Sequence, residues 1–261
     1  MTRATRLVTV ALGLAALAGT GAEAATTDPE TVRAWGAYVA ATEARIAAEL
    51  RAPPPPRRPA SLACLLDAGE GESVGVPSGT ITRWRGTVFL AGVALDTLLT
   101  RLHQPDEHGP HQEDVLALRV LAREPGALRL FIRMQRQSIV AVTYDTEHAV
   151  TFARQGPDRA SSRSVSTRIV EIDAAGTADE RPRPEGTDRG YLWRMNAYWR
   201  YTETPAGVLV ELESLTLSRG IPFGLGPVVR PVVNRIARES VRRTLGALRR
   251  THAAAGGAAC P

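Results

Sequence analysis

Tyr191-Leu192-Trp193-Arg194-Met195-Asn196-Ala197-Tyr198-Trp199-Arg200-Tyr201 alternates two kinds of side chain along one stretch. Successive side chains of a strand point to opposite sides, so Tyr191, Trp193, Met195, Ala197, Trp199 and Tyr201 share one face. Leu192, Arg194, Asn196, Tyr198 and Arg200 share the other. After a turn signal at Thr204-Pro205, Val208, Val210 and Leu212 alternate with Leu209, Glu211 and Glu213. The pattern predicts a β-hairpin, Tyr191–Glu203 with Gly207–Leu217, apolar and aromatic on one face and carrying arginines against glutamates on the other. A turn centred near Thr204-Pro205 sets Trp199 opposite Val210 and Tyr198 opposite Glu211. The aromatic face needs a cover.

The end of the chain supplies one. A long helix is predicted to begin at Pro227 or Pro231, since proline is tolerated in a first turn. Val229, Val232, Val233, Ile236 and Ala237 make a broad apolar stripe continued by Leu248, with Arg235, Arg238, Arg242 and Arg249 opposite. Such a stripe is buried against something wide and flat, and a sheet is the natural partner. Upstream, Ile81–Leu90 reads as a strand and Val93–His103 as a short amphipathic helix. Val115–Ala122, Leu128–Arg136, Ile139–Thr146, Ala149–Arg154 and Arg163–Ile172 read as further strands. Ala174–Arg189 is an exposed loop. Asp28-Pro29-Glu30 starts an N-terminal helix carrying Val32, Trp35, Val39, Ile46 and Leu50, which stops before the stiff spacer Pro53-Pro54-Pro55-Pro56. This helix is expected to pack back on the main domain, with docking to another protein as the alternative.

A strand, a short helix, a run of antiparallel strands and a long final helix describe an α+β helix-grip arrangement, a curved sheet wrapped around the last helix. The chain resembles the START-like superfamily of lipid-transfer and polyketide-cyclase domains, and more narrowly its uncharacterised exported bacterial members. The segments that carry the likeness are Ile81–Phe89, Ser164–Glu171, Gly190–Arg194 and Leu217–Gly226. The resemblance implies a cavity for a hydrophobic ligand between sheet and helix, and brings no active-site residues with it.

The first residues read as an export signal. Arg3 and Arg6 precede the apolar run Leu7–Gly19, and Ala22-Glu23-Ala24 is an A-x-A cleavage site, placing cleavage near Ala24-Ala25. The run falls short of the ~20 residues that span a bilayer as a helix. Thr20 stands where a lipidated cysteine would be, so no lipid anchor is expected. The chain divides into a signal peptide at 1–24, the N-terminal helix and proline-rich linker at 25–60, a helix-grip domain at 61–252 and a flexible tail at 253–261. The net charge is +5 and all 32 basic residues are arginine. Arginine pairs such as Arg242-Arg243 suit a solvated helix face, and export argues against a nucleic-acid partner. Cys64 and Cys260 are the two cysteines; an oxidising compartment permits a bridge between them, while Cys64 also suits a small buried position.

The apolar ligand set is Trp193, Met195, Trp199, Tyr201, Val210, Leu212, Val229, Val233 and Ile236, residues that either line a cavity or fill the core. Arg194, Glu211, Glu213 and Arg219 are candidates for a polar cavity or rim, with cross-strand ion pairing as the alternative. A cavity carboxylate among them acting as general base would make the chain a cyclase- or hydrolase-like enzyme. His103, His108 and His111 lie near Asp106, Glu107, Glu113 and Asp114 without a recognised metal-ligand spacing, so no metal is expected. There is no nucleophile elbow, no Ser/His/Asp pattern and no glycine-rich phosphate loop, and no cofactor is implied.

Overall fold

The computed structural model describes residues 28–52, 65–108, 112–137, 141–220 and 226–252. The expected leader and its expected cleavage site, Cys64, Cys260, His111 and residues 253–261 lie outside them.

Helix α1 spans Pro29–Arg51. The Asp28 carboxylate accepts from the Glu30 backbone N–H at 2.9 Å, Pro29 opens the first turn, and the buried Thr31, Trp35, Thr42 and Ile46 lie along one side. Strands β1 (Leu66–Asp67), β2 (Gly71–Val76) and β3 (Gly79–Ala91) follow, then α2 (Leu95–Leu102) and α3 (Pro105–His108). Next come β4 (Val115–Glu124), β5 (Ala127–Gln137), β6 (Ala141–Arg154), β7 (Arg159–Asp173), β8 (Arg181–Pro182), β9 (Arg194–Thr204) and β10 (Gly207–Arg219). The chain closes on α4 (Gly226–His252).

The strands form one antiparallel sheet in the order β1-β3-β10-β9-β7-β6-β5-β4, with β2 added beside β3 and β8 beside β7. First and last long strands are therefore neighbours, paired from Gly79↔Arg219 to Ala91↔Gly207. Helices cover both faces. Trp84, Val88, Leu90, Val210 and Leu212 turn inward onto Val241, Leu245 and Leu248 of α4. Ile81, Leu215, Leu217 and Tyr198 turn outward onto Trp35 and Ile46 of α1. Each fully buried Leu of this kind contributes about 1.5–3 kcal/mol. The close approach of α4 depends on Gly86, where a Cβ would lie 2.6 Å from Val241 and 2.7 Å from Leu245.

The architecture is the helix-grip α+β arrangement read from the sequence, with four local corrections. The hairpin turn is the two-residue Pro205-Ala206, so Trp199 lies opposite Leu212, Tyr198 opposite Glu213 and Arg200 opposite Glu211. Residues 141–154 are one strand with a register shift opposite Glu147/His148, where two separate strands were expected. The buried stripe of α4 runs through Val241, Leu245 and Leu248, and Ile236 is 41% exposed. Strands β1 and β2, short and glycine-flanked, carry no alternation a sequence pattern could register. Among the described residues no helix is long and apolar enough to cross a membrane.

Candidate ligand-binding site

The inner face of the sheet has two different halves. Over β3 and β10 it is sealed by α4 through the cluster just described. Over the outer strands it forms its own clusters: Leu128, Leu130 and Val150, and Met134, Val142 and Tyr144. Ile132, Ile169, Leu192 and Met195 pack against the second of these, and none of its members belongs to α4 among the described residues. Asn234, seven residues before Val241 and so in line with the buried stripe of α4, accepts a bond from the Ser73 hydroxyl of β2 at 2.9 Å. Two residues on, roughly 200° round the helix, the exposed Ile236 stands on the side away from that stripe, and Val233 is half-buried.

The inner face over β7 and β9 is a mixed surface. Cross-strand partners on β7 and β9 set Ala160 beside Tyr201, Ser162 beside Trp199 and Ser164 beside Ala197. Met195, Ala197 and Trp199 are half-buried, while Tyr201 is buried and its hydroxyl meets that of Ser162 at 2.9 Å. His148 has Thr146 Oγ1 at 3.0 Å from Nε2 and Ser164 Oγ at 3.4 Å from Nδ1. Burial pushes its imidazole from 6.5 down to about 4, so it is neutral at pH 7. The Tyr144 phenol is buried with no hydrogen-bond partner among the described residues, and burial, followed by the nearby Glu171 charge, pushes its pKa far up. The inner-face carboxylate Glu171 accepts from the Arg189 backbone N–H at 2.9 Å and pairs with the Arg189 and Arg183 side chains.

The residues singled out from the sequence separate onto different surfaces. Met195, Trp199, Tyr201, Val210 and Leu212 lie on the inner face, the last four within or against the α4 cluster. Val233 is half-buried and Ile236 is exposed on the side of α4 away from its buried stripe, and the side chain of Val229 is outside the described residues. Trp193 precedes β9 and packs outward against the α1 cluster, with its indole N–H donating to Asp188 at 2.9 Å. Glu211, Glu213 and Arg194 are also on the outer face, away from α4. Glu213 is fully buried there, bound by Arg45 at 2.5 Å, Arg85 at 3.0 Å and Arg83 at 3.5 Å, with Arg200 at 3.8 Å. Glu49 of α1 joins the network through Arg45, Arg85 and Arg200. This is the ion-pairing alternative, roofed by α1. Arg219 is exposed at the end of β10, beside a cleft of about 480 Å³ lined by Ser73, Gly79 and Thr80.

From the sequence His148 reads as an isolated structural or surface residue in a strand region, and Tyr144 and the β7 serines were not singled out. Reading Val142, Tyr144, Thr146, His148 and Val150 as one alternating face would have brought His148 and Tyr144 together, but a break at 147–148 hides the pattern. His103 packs on the Phe152 ring at 4.0 Å between centroids, and among the described residues no group of three His, Cys, Asp or Glu could hold a metal.

No protein-family model matches the sequence, and no curated protein matches it. Solved structures do share its arrangement. A protein from Thermus thermophilus aligns with a TM-score of 0.47 and 16% identity over 65% of this chain and 95% of its own. A STAR-related lipid transfer protein fragment from Xanthomonas axonopodis gives 0.44 and 17% over 69% and 97%. The Zhui aromatase/cyclase from a Streptomyces species gives 0.38 and 15% over 68% and 99%. At identities of 15–17% and TM-scores of 0.38–0.47 these likenesses carry nothing about a site, which stands on this chain's own residues.

Proposed function

We propose that the chain is an exported protein that holds a hydrophobic or amphipathic small molecule between the inner face of the sheet and α4. The observation that carries this reading is the character of the inner face there. Half-buried apolar side chains (Met195, Trp199, Ile132, Ile169) stand among a few buried polar groups, His148 and Tyr144 above all, the composition of a small-molecule site. A binding role is favoured over chemistry because Glu213 on the outer face and Glu171 on the inner face are each held by arginines.

Native mass spectrometry of the protein purified from the exported fraction tests it. Co-purified lipid-sized mass, or uptake from a panel of fatty acids and sterols, is the expected result. Ala197→Trp, which sets a bulky side chain on the inner face of β9 opposite Ser164, should reduce uptake. A bare polypeptide mass that takes up nothing would instead favour a filled-core interaction module.

A further inference from the structure

The cleft beside Arg219 lies where the β2–β3 turn meets the end of β10, and its walls are tied to three other parts of the molecule. The register sets Gly75 opposite Thr80 and Gly79 opposite Arg219. The Pro77 carbonyl accepts from the Thr31 hydroxyl of α1, and the Ser78 carbonyl accepts from the Gly220 N–H at 2.9 Å. The Ser73 hydroxyl gives its proton to Asn234 of α4, so Thr82 is the donor in the 3.1 Å contact between Ser73 and Thr82. Arg219 is positioned by Gly190. Its backbone N–H donates to the Gly190 carbonyl at 2.6 Å. Gly190, at φ +74°, passes so near that a Cβ there would lie 2.7 Å from the Arg219 Cβ and 3.3 Å from its Nε.

The chemistry of this space of about 480 Å³ is one-sided. Among the described residues that line it, Arg219 brings a positive charge and none is a carboxylate. Thr80 is 5% exposed, yet its hydroxyl has no hydrogen-bond partner among the described residues. A buried hydroxyl left so is costly, and an acceptor oxygen from a ligand would satisfy it. The Ser78 hydroxyl and the Arg219 guanidinium likewise have no partner among the described residues. At Gly75 a Cβ would meet nothing within 4 Å, so that wall is open to an occupant. A guanidinium fork and two hydroxyls, all donors, suit an oxyanion with several oxygens better than a planar carboxylate. We infer that this cleft is a phosphate site, with Arg219 as the counter-charge and Thr80 and Ser78 as hydroxyl donors. A phospholipid headgroup and free phosphate share that chemistry. The site goes beyond the carrier reading and does not depend on it, because none of its lining residues belongs to the inner-face clusters around Leu130 and Tyr144.

Titration calorimetry of the protein from the exported fraction tests it with inorganic phosphate, dihexanoyl phosphatidic acid and dihexanoylglycerol, the last lacking only the phosphate. Phosphatidic acid should bind about tenfold more tightly than the diacylglycerol, the worth of charge-assisted hydrogen bonds. Arg219→Gln should remove that difference, and Arg219→Lys, which keeps the charge and loses the fork, should retain part of it. Gly75→Val, which sets a side chain in the open wall, should also remove it, and Thr80→Val should reduce it several-fold. Phosphatidic acid bound far more tightly than inorganic phosphate supports the site and makes its ligand a lipid headgroup. Inorganic phosphate bound equally well, and lost in Arg219→Gln, supports the site and makes its ligand free phosphate. No binding of either phosphate probe, or a preference that survives in both Arg219→Gln and Gly75→Val, overturns the phosphate site. Uptake of fatty acids or sterols beside that result leaves the carrier reading standing. Phosphate binding with no lipid uptake overturns the carrier reading and leaves the cleft.

Discussion

His148 offers the most quantitative prediction. Its side chain is 3% exposed in a pocket bounded by Thr146 and Ser164, and burial lowers its pKa from 6.5 to about 4. The folded state therefore binds its proton later than the unfolded chain does. Stability from this residue is complete above pH 6.5 and is lost as the pH falls toward 4. At 1.36 kcal/mol per pH unit the full loss is about 3 kcal/mol, and about 2 kcal/mol is gone by pH 5. Urea unfolding of the wild type and His148→Gln at pH 7.5 and pH 5 isolates the effect, since other titrating groups are common to both. The wild type should lose about 2 kcal/mol more than the variant over that interval. Equal losses, or a folded-state imidazole titrating near its ordinary value by NMR, would refute the reasoning.

Glu213→Ala leaves Arg200, only 10% exposed, facing an emptied site, together with Arg45, Arg83 and Arg85, which keep some water. The expected cost is about 3 kcal/mol, the lower end of the range for breaking a buried pair, read as a fall in urea midpoint. A change below about 1 kcal/mol would mean the network behaves as a surface one. Gly86→Ala forces a methyl against Val241, Leu245 and the Asp67 carbonyl, and should destabilise by about 1–3 kcal/mol. A thermal midpoint unchanged from the wild type would show that α4 can retreat at no cost.

The fold was legible because its governing signals are strong and local. The 194–204 and 207–217 arms alternate without interruption, and the amphipathic final helix demands a sheet. What escaped were features set by tertiary geometry. The two-residue turn shifted the hairpin pairing, because Thr204-Pro205-Ala206-Gly207 supports more than one centre. The outer-face arginines and glutamates were visible as a set, yet strand alternation cannot say which face looks toward α4 and which toward α1. Trp193 continues the alternation on paper but packs outward, since it follows the Gly190 turn and precedes the regular strand. The inner-face histidine and tyrosine were hidden by reading one continuous strand as two.

The position of α1 bears on the order in which the molecule can assemble. Although first in the described chain, α1 is held by groups that come very late in it. Arg45 reaches Glu213, Glu49 reaches Arg200, and the Tyr198 hydroxyl donates to Glu43, separations of 168, 151 and 155 residues. The surface it covers does not exist until β9 and β10 have joined β3. Loops of this length close slowly, and topologies dominated by such distant pairings fold slowly. A chain interrupted before residue 194 would leave Trp35 and Ile46 without the strands that bury them, so α1 works as a clasp that fastens only when the sheet is finished.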